Sequence, residues 1–160
     1  GTTLLEPVAL EALLTSSVAS FAARAEKADI RVTLSPVPDC VLLADRLQLE
    51  VVIRNLLSNA FDAVSLPAVT KRLVHVSAAM EGPDRVCIQV EDSGPGLSPA
   101  TALHLFEPFE STKSSGLGLG LVISRAIVDV HGGSLWAEVG DHGVFKLVLL
   151  VDRKVAHGDK

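Results

Sequence analysis

Apolar positions along this chain alternate between two periods, and each change of period marks an element. Leu10, Leu14, Val18, Phe21 and Ala25 recur at helical spacing, so a helix is expected over Leu4 to Ala25 with Pro7 in its first turn. Ile30, Val32 and Leu34 alternate as a strand, Pro36 and Pro38 interrupt it, and Val41 to Leu43 resume as another. Asp45 then precedes a long periodic segment, with Gln48 three residues on, the pattern of a capping box. In that segment, Arg46 to about Ser65, the stripe is Leu49, Val52, Ile53, Leu56, Leu57, Ala60 and Val64. Beyond a Pro-containing turn at Leu66 to Lys71 the period returns to two, over Leu73 to Ala79 and again, after a link at Glu81 to Asp84, over Val86 to Glu91. Ser98 and Pro99 open a short helix reaching Phe106, and Val122 to His131 is of helical length with His131-Gly132-Gly133 as its stop. Leu135 to Val139 and Val144 to Val151 read as two strands across a Gly/Asp turn, ahead of a polar tail from Asp152 to Lys160.

Two stretches do more than continue this pattern. At the end of the Val86 strand, Asp92 is followed by Gly94-Pro95-Gly96-Leu97, a turn that needs positive φ or a close backbone approach. Such a turn alone is most often only a turn. The second cluster, Gly116-Leu117-Gly118-Leu119-Gly120-Leu121, opens into a helix, where free N–H groups and the positive end of the dipole suit phosphate. A purely structural helix start would more naturally use a Ser or Asp cap. Together the two clusters suggest a nucleotide, with its base at Asp92 and its phosphates at the glycines. Neither cluster is a Walker loop or a Gly-x-Gly-x-x-Gly fingerprint.

The long helix carries Asn55, Asn59 and Asp62 at i, i+4 and i+7, hence on one face. A solvated face more usually has Glu, Lys or Arg, so the two amide carbonyls suggest a hard cation such as Mg2+ shared with phosphates. Hydrogen bonding to neighbouring loops accounts for them equally well. Between the glycine clusters, Phe106 and Phe109 lie in a loop rich in Ser and Pro that also contains Lys113, which fits a lid closing on a ligand.

Composition narrows the reading. At 160 residues and 48% hydrophobic content, one domain over residues 1–160 with a sizeable core is expected. A net charge of -5 with 4% aromatics gives no support to nucleic-acid binding. Cys40 and Cys87 read as buried free thiols of a reducing compartment, and the five histidines lack ligand spacing. No apolar run approaches the roughly 20 residues of a membrane span and no signal peptide is evident, so no membrane contact and a cytoplasmic location are expected. Gly1-Thr2-Thr3 reads as a cloning scar, so a longer parent protein is expected.

Asn55 to Ala63, Asp92 to Leu97, Phe106 to Lys113 and Gly116 to Leu121 resemble, in order, the N, G1, F and G2 boxes of the ATP-binding catalytic domain of sensor histidine kinases. These belong to the GHKL superfamily with gyrase, the heat-shock chaperone ATPases and the mismatch-repair ATPases. Asn59-Ala60-Phe61-Asp62-Ala63 resembles the subgroup with Asn-Ala-x-Asp-Ala, whereas many other histidine kinases have a basic residue in place of Asp62. The resemblance implies a two-layer α/β sandwich, a mixed sheet on three main helices, with ATP beneath a mobile lid at about residues 97–115. It also implies site roles. Asp92 would bond the adenine amino group, with Gly94, Gly96 and Leu97 lining the base. Asn59 would ligate Mg2+, and Asn55, with Asp62 beside it, would support phosphates or the metal's waters. Gly116, Leu117, Gly118, Leu119 and Gly120 would hold the phosphates with Lys113 as a point charge, and Phe106 and Phe109 would anchor the lid. The implied activity is γ-phosphate transfer to a histidine on a separate dimerisation domain, and onward to a response regulator. Where ATP-hydrolysing relatives carry a Glu, Asn55 cannot act as general base, so hydrolysis should be weak. A serine kinase of the anti-sigma type, an ATPase, or a non-catalytic nucleotide-binding module are the alternatives.

Overall fold

A computed structural model describes residues 2–107 and 119–152. Helix α3, Arg46–Val64, is its central element. Its stripe Leu49, Val52, Ile53, Leu56, Leu57, Ala60 and Val64 is at most 2% exposed, and Phe61 is fully buried beside it. The helix starts where expected: Asp45 accepts from the Gln48 N–H at 3.1 Å. The second half of a capping box is replaced by a tertiary contact. The Asp45 N–H donates to His131 Nε2 at 3.0 Å, while Gln48 Oε1 accepts from the Thr3 hydroxyl at 3.2 Å. Leu4 N–H also donates to the Asp45 carboxylate at 2.9 Å. These backbone N–H groups, Leu4 first and then Gln48, hold the Asp45 carboxyl below the usual carboxylate range.

The start of the chain differs from the expected single helix. Strand β1, Glu6–Ala9, precedes α1, Leu10–Ala19, and a break separates α1 from α2, Ala22–Ala28. Strand β1 pairs antiparallel with β3, Val41–Ala44, placing Pro7 opposite Leu43. This is a two-stranded sheet, so Pro7 lies on an edge, where its missing N–H is tolerated. Leu10 and Leu14 are buried as the helical stripe requires. The stripe continues through the break because Phe21 turns inward, its ring centroid 5.0 Å from that of Phe61.

The main sheet has the order β2-β4-β5-β7-β6. It comprises β2 Arg31–Leu34, β4 Leu73–Met80, β5 Arg85–Asp92, β7 Gly143–Leu150 and β6 Ser134–Ala137. Strands β2 and β4 are parallel and the remaining pairs antiparallel. The sheet is therefore mixed, as expected. Its inner face is the buried set Val74, Val76, Val86, Ile88, Val90, Phe145, Leu147 and Leu135. The opposite residues of β5, Cys87, Gln89 and Glu91, are half-buried. Two further helices frame the site: α4, Pro99–His104, capped by Ser98 accepting from the Thr101 N–H, and α5, Gly120–Val130. The link Asp45 to His131 joins the start of α3 to the end of α5, and Asn55 meets the start of α5. The two helices thus run side by side in opposite directions.

Candidate functional site

Strand periodicity explains the most unusual buried group. Val86, Ile88 and Val90 face the core, and the next residue in that alternation is Asp92, only 5% exposed. A carboxylate at that depth needs hydrogen bonds. Asp92 Oδ1 accepts from the Gly94 N–H at 2.8 Å. Burial raises the Asp92 pKa, and the backbone N–H groups of Gly94 and Gly143 partly offset that. Above it lies the last turn of α3, since a Cβ on Gly94 would come within 2.9 Å of the Ala63 methyl. Gly96 is left-handed, φ +81°, and a Cβ there would lie 2.3 Å from the Gly140 carbonyl oxygen. The close approach is to the β6–β7 turn, which is stitched to the Gly96 turn by Gly140 N–H to Leu97 O at 3.1 Å. His142 ties the same turn to β5 through Nε2 and Glu91 Oε2 at 2.7 Å.

Asn55, Asn59 and Ala63 are spaced i, i+4 and i+8 on α3, so they climb about 12 Å along one face. At the Ala63 end lies Asp92. At the other end, the Asn55 amide donates to Gly120 O at 3.1 Å and to the fully buried Ser124 hydroxyl at 3.0 Å. Asn55 therefore holds the first turn of α5 against α3. Asn59 is half-buried between these ends, and among the described residues its side-chain amide makes no hydrogen bond. Leu119 stands at the N-cap of α5, and its side chain makes no cap hydrogen bond among the described residues.

Asp62 sits on the flank of this face, where Arg24 of α2 pairs with it at 2.8 Å. The Arg24 guanidinium also lies 5.2 Å from the centroid of Phe61. Phe106 packs partly on the core, with the Arg125 guanidinium of α5 4.9 Å from its ring centroid. The expectations for Phe109, Lys113, Gly116, Leu117 and Gly118 lie outside the described residues.

Four contributors escaped the sequence reading. Ser124 and Arg125 fell within an ordinary helical stretch. Gly143 and His142 belonged to what read as a plain hairpin turn, and only the repeated glycine at Gly140 and Gly143 offered a signal. None of these residues has a local pattern that distinguishes it.

A mixed sheet covered by helices on one face, with a buried aspartate at one end of a helix face and the start of a second helix at the other, defines an α/β sandwich. Residues 44–154 match the family model described as histidine kinase-, DNA gyrase B- and HSP90-like ATPase, and the chain belongs to that family. It is 37% identical over 121 residues to the sensor protein FixL of Bradyrhizobium diazoefficiens, covering 76% of this chain and 23% of that protein. It is 43% identical over 120 residues to the C4-dicarboxylate transport sensor protein DctS of Rhodobacter capsulatus, covering 71% of this chain and 17% of that one. The chain thus spans less than a quarter of the length of these relatives. Among solved structures, the nucleotide-free catalytic domain of histidine kinase ThkA superposes with a TM-score of 0.81 at 27% identity, covering 92% of this chain and 95% of that one. Full-length ShkA in complex with AMPPNP gives a TM-score of 0.80 at 28% identity, covering 94% of this chain and 32% of that one. The fold is that of a histidine kinase catalytic domain, and the family is an ATP-binding one. Among the described residues, no helix is long and apolar enough to cross a membrane.

Proposed function

We propose that this domain binds Mg2+-ATP along α3 and donates the γ-phosphate to a histidine on a separate dimerisation domain of the same sensor kinase, for onward transfer to a response regulator. The observation that carries this reading is the pairing of a buried, amide-held carboxylate at Asp92 with the Asn55-bonded start of α5 at the two ends of one helix face. Asp92 receives the adenine amino group, and Gly94, Gly96 and Leu97 shape the turn beneath the base. Gly116, Leu117, Gly118, Leu119 and Gly120 receive the phosphates, with Lys113 as a point charge and Phe106 and Phe109 anchoring a lid at about residues 97–115. Asp62 belongs to the Asn-Ala-x-Asp-Ala subgroup pattern and acts through its pairing with Arg24.

The residues fit a Mg2+ ion held largely by its nucleotide. Among the described residues no group of three or more His, Cys, Asp or Glu side chains could hold a metal. The Asn59 amide, without a hydrogen bond among the described residues, offers a single oxygen, which suffices for a hard cation that keeps its waters and binds phosphate. The ion would shield phosphate charge during transfer. Asn55 spends its amide N–H on α5 and cannot take a proton, so water is not activated and transfer rests on positioning. A cytosolic location fits two free cysteines, Cys40 and Cys87. The domain is read as extending over residues 1–160, with the acceptor histidine elsewhere in the parent protein.

The test is transfer in trans. Incubated with labelled ATP and Mg2+, the domain alone should bind nucleotide, remain almost unlabelled and hydrolyse ATP slowly. Adding the histidine-bearing domain as a second chain should give label that is acid-labile and base-stable, as a phosphoramidate is. An acid-stable product on serine, or rapid turnover by the domain alone, would overturn the reading.

A further inference from the structure

Gly143, the first residue of β7, lies opposite Asp92 in the ladder between β5 and β7. A Cβ at Gly143 would stand 2.1 Å from Asp92 Oδ2, 2.6 Å from its Cγ and 2.6 Å from Oδ1. All three atoms belong to one side-chain carboxylate, whereas a Cβ on Gly96 would meet the backbone of Gly140, Asp141 and His142. The distinction matters, because a carboxylate can swing aside while a strand cannot. A side chain at 143 would therefore displace the Asp92 carboxylate and leave the sheet in place. On the other side the carboxylate is held by the Gly94 N–H at 2.8 Å, and behind Gly94 stands the Ala63 methyl of α3. Asp92 is thus seated between two glycines that come from segments about 50 residues apart.

We infer that Gly143 is a positioning residue for base recognition: by lacking a side chain, it lets the Asp92 carboxylate lie against β7, where it faces the exocyclic amino group of an adenine-type base. This rests on the reading of Asp92 as the base acceptor. The β6–β7 turn becomes a wall of the base site, secured by the Gly140 to Leu97 hydrogen bond and by His142 to Glu91. Gly143 touches no ligand itself. It acts through the position of Asp92.

The experiment compares ATP with purine riboside triphosphate, which lacks the amino group, by calorimetric titration of wild type, Gly143→Ala, Asp92→Ala and the double variant. Wild type should prefer ATP by about tenfold or more. Gly143→Ala should lose that preference to the level of Asp92→Ala, while its unfolding temperature without nucleotide stays close to wild type. In the Asp92→Ala background, Gly143→Ala should change nothing further. Preference kept by Gly143→Ala, or weaker binding of both nucleotides with the preference intact, would overturn the inference and leave the base reading standing. Equal binding of the two nucleotides by the wild type would remove the base reading and the inference with it. A measurement without any variant guards against a substitution that fails to fold. The backbone amide resonance of Gly143 in the wild type should titrate together with that of Gly94, both following Asp92, and an unresponsive Gly143 amide would overturn the inference.

Discussion

The two ends of the α3 face are built differently. At the end proposed for the base, Asp92 is 5% exposed, and its partners are backbone groups of the turn after β5 and of the first residue of β7. At the end proposed for the phosphates, a half-buried Asn55 side chain reaches from one helix to the first turn of another, and Asn59 beside it makes no hydrogen bond among the described residues. The base end is therefore assembled before any ligand arrives, and binding there costs little ordering. On the proposed function, the hydrogen-bonding capacity of the groups at the other end would be completed by phosphates and their ion. A flat base of fixed shape suits the first arrangement, and a phosphate chain whose terminal group must leave suits the second.

The comparison assumes that both ends hang on one scaffold, and the largest effect tests that. Phe61 is fully buried on α3, its ring tilted against that of Phe21 and beneath Arg24. Phe61→Ala should cost about 3–5 kcal/mol of stability in urea unfolding and impair both ends together. A loss below about 1 kcal/mol would mean that α3 is not their common support.

Next comes the base end. Asp92→Ala should weaken ATP binding by about 1–3 kcal/mol by calorimetry, since the adenine amino group is left buried without an acceptor. Because burial raises the Asp92 pKa, wild-type affinity should also fall on acidification sooner than an ordinary carboxylate would dictate. Unchanged affinity in the variant would move the base elsewhere.

At the phosphate end, Asn55→Ala removes the bonds to Gly120 and to the buried Ser124 hydroxyl, at a stability cost of about 1 kcal/mol. Asn59→Ala should leave stability nearly unchanged and weaken Mg2+-ATP more than metal-free ATP. Titrations with and without chelator separate the two, and equal losses would assign Asn59 a role without the ion.

The smallest effect sharpens the base end. His142 is paired with Asp141 first and Glu91 second, and both raise its pKa above the usual imidazole value. A raised histidine contributes its stability fully below its unfolded value of about 6.5 and loses it as pH rises through the folded one. With its side chain 45% exposed, the contribution should be only about a few tenths of a kcal/mol. His142→Gln should flatten that part of the stability profile, which falls as pH rises above about 6.5. A profile that keeps its slope in the variant would place the titrating group elsewhere.

Much of this arrangement could be read from local pattern. The apolar stripe of α3 and its Asp45 cap located the helix to within a residue, and the period of two in β5 carried Asp92 onto the core face, because burial selects alternate positions whatever lies opposite. The four boxes named the family for the same reason, as each is a short run of fixed residues. Contacts between distant segments were beyond such reading. Glu6–Ala9 has a sequence that a helix accepts, and it is a strand because β3 offers it an edge. Asp62 shares a helical face with Asn55 and Asn59, yet its ion-pair partner Arg24 comes from α2. Gly143 looked like a turn glycine until the register of β5 against β7 set it opposite Asp92. Periodicity records which side of an element is buried, whereas the neighbour that fills the space across from it depends on how the whole chain closes up.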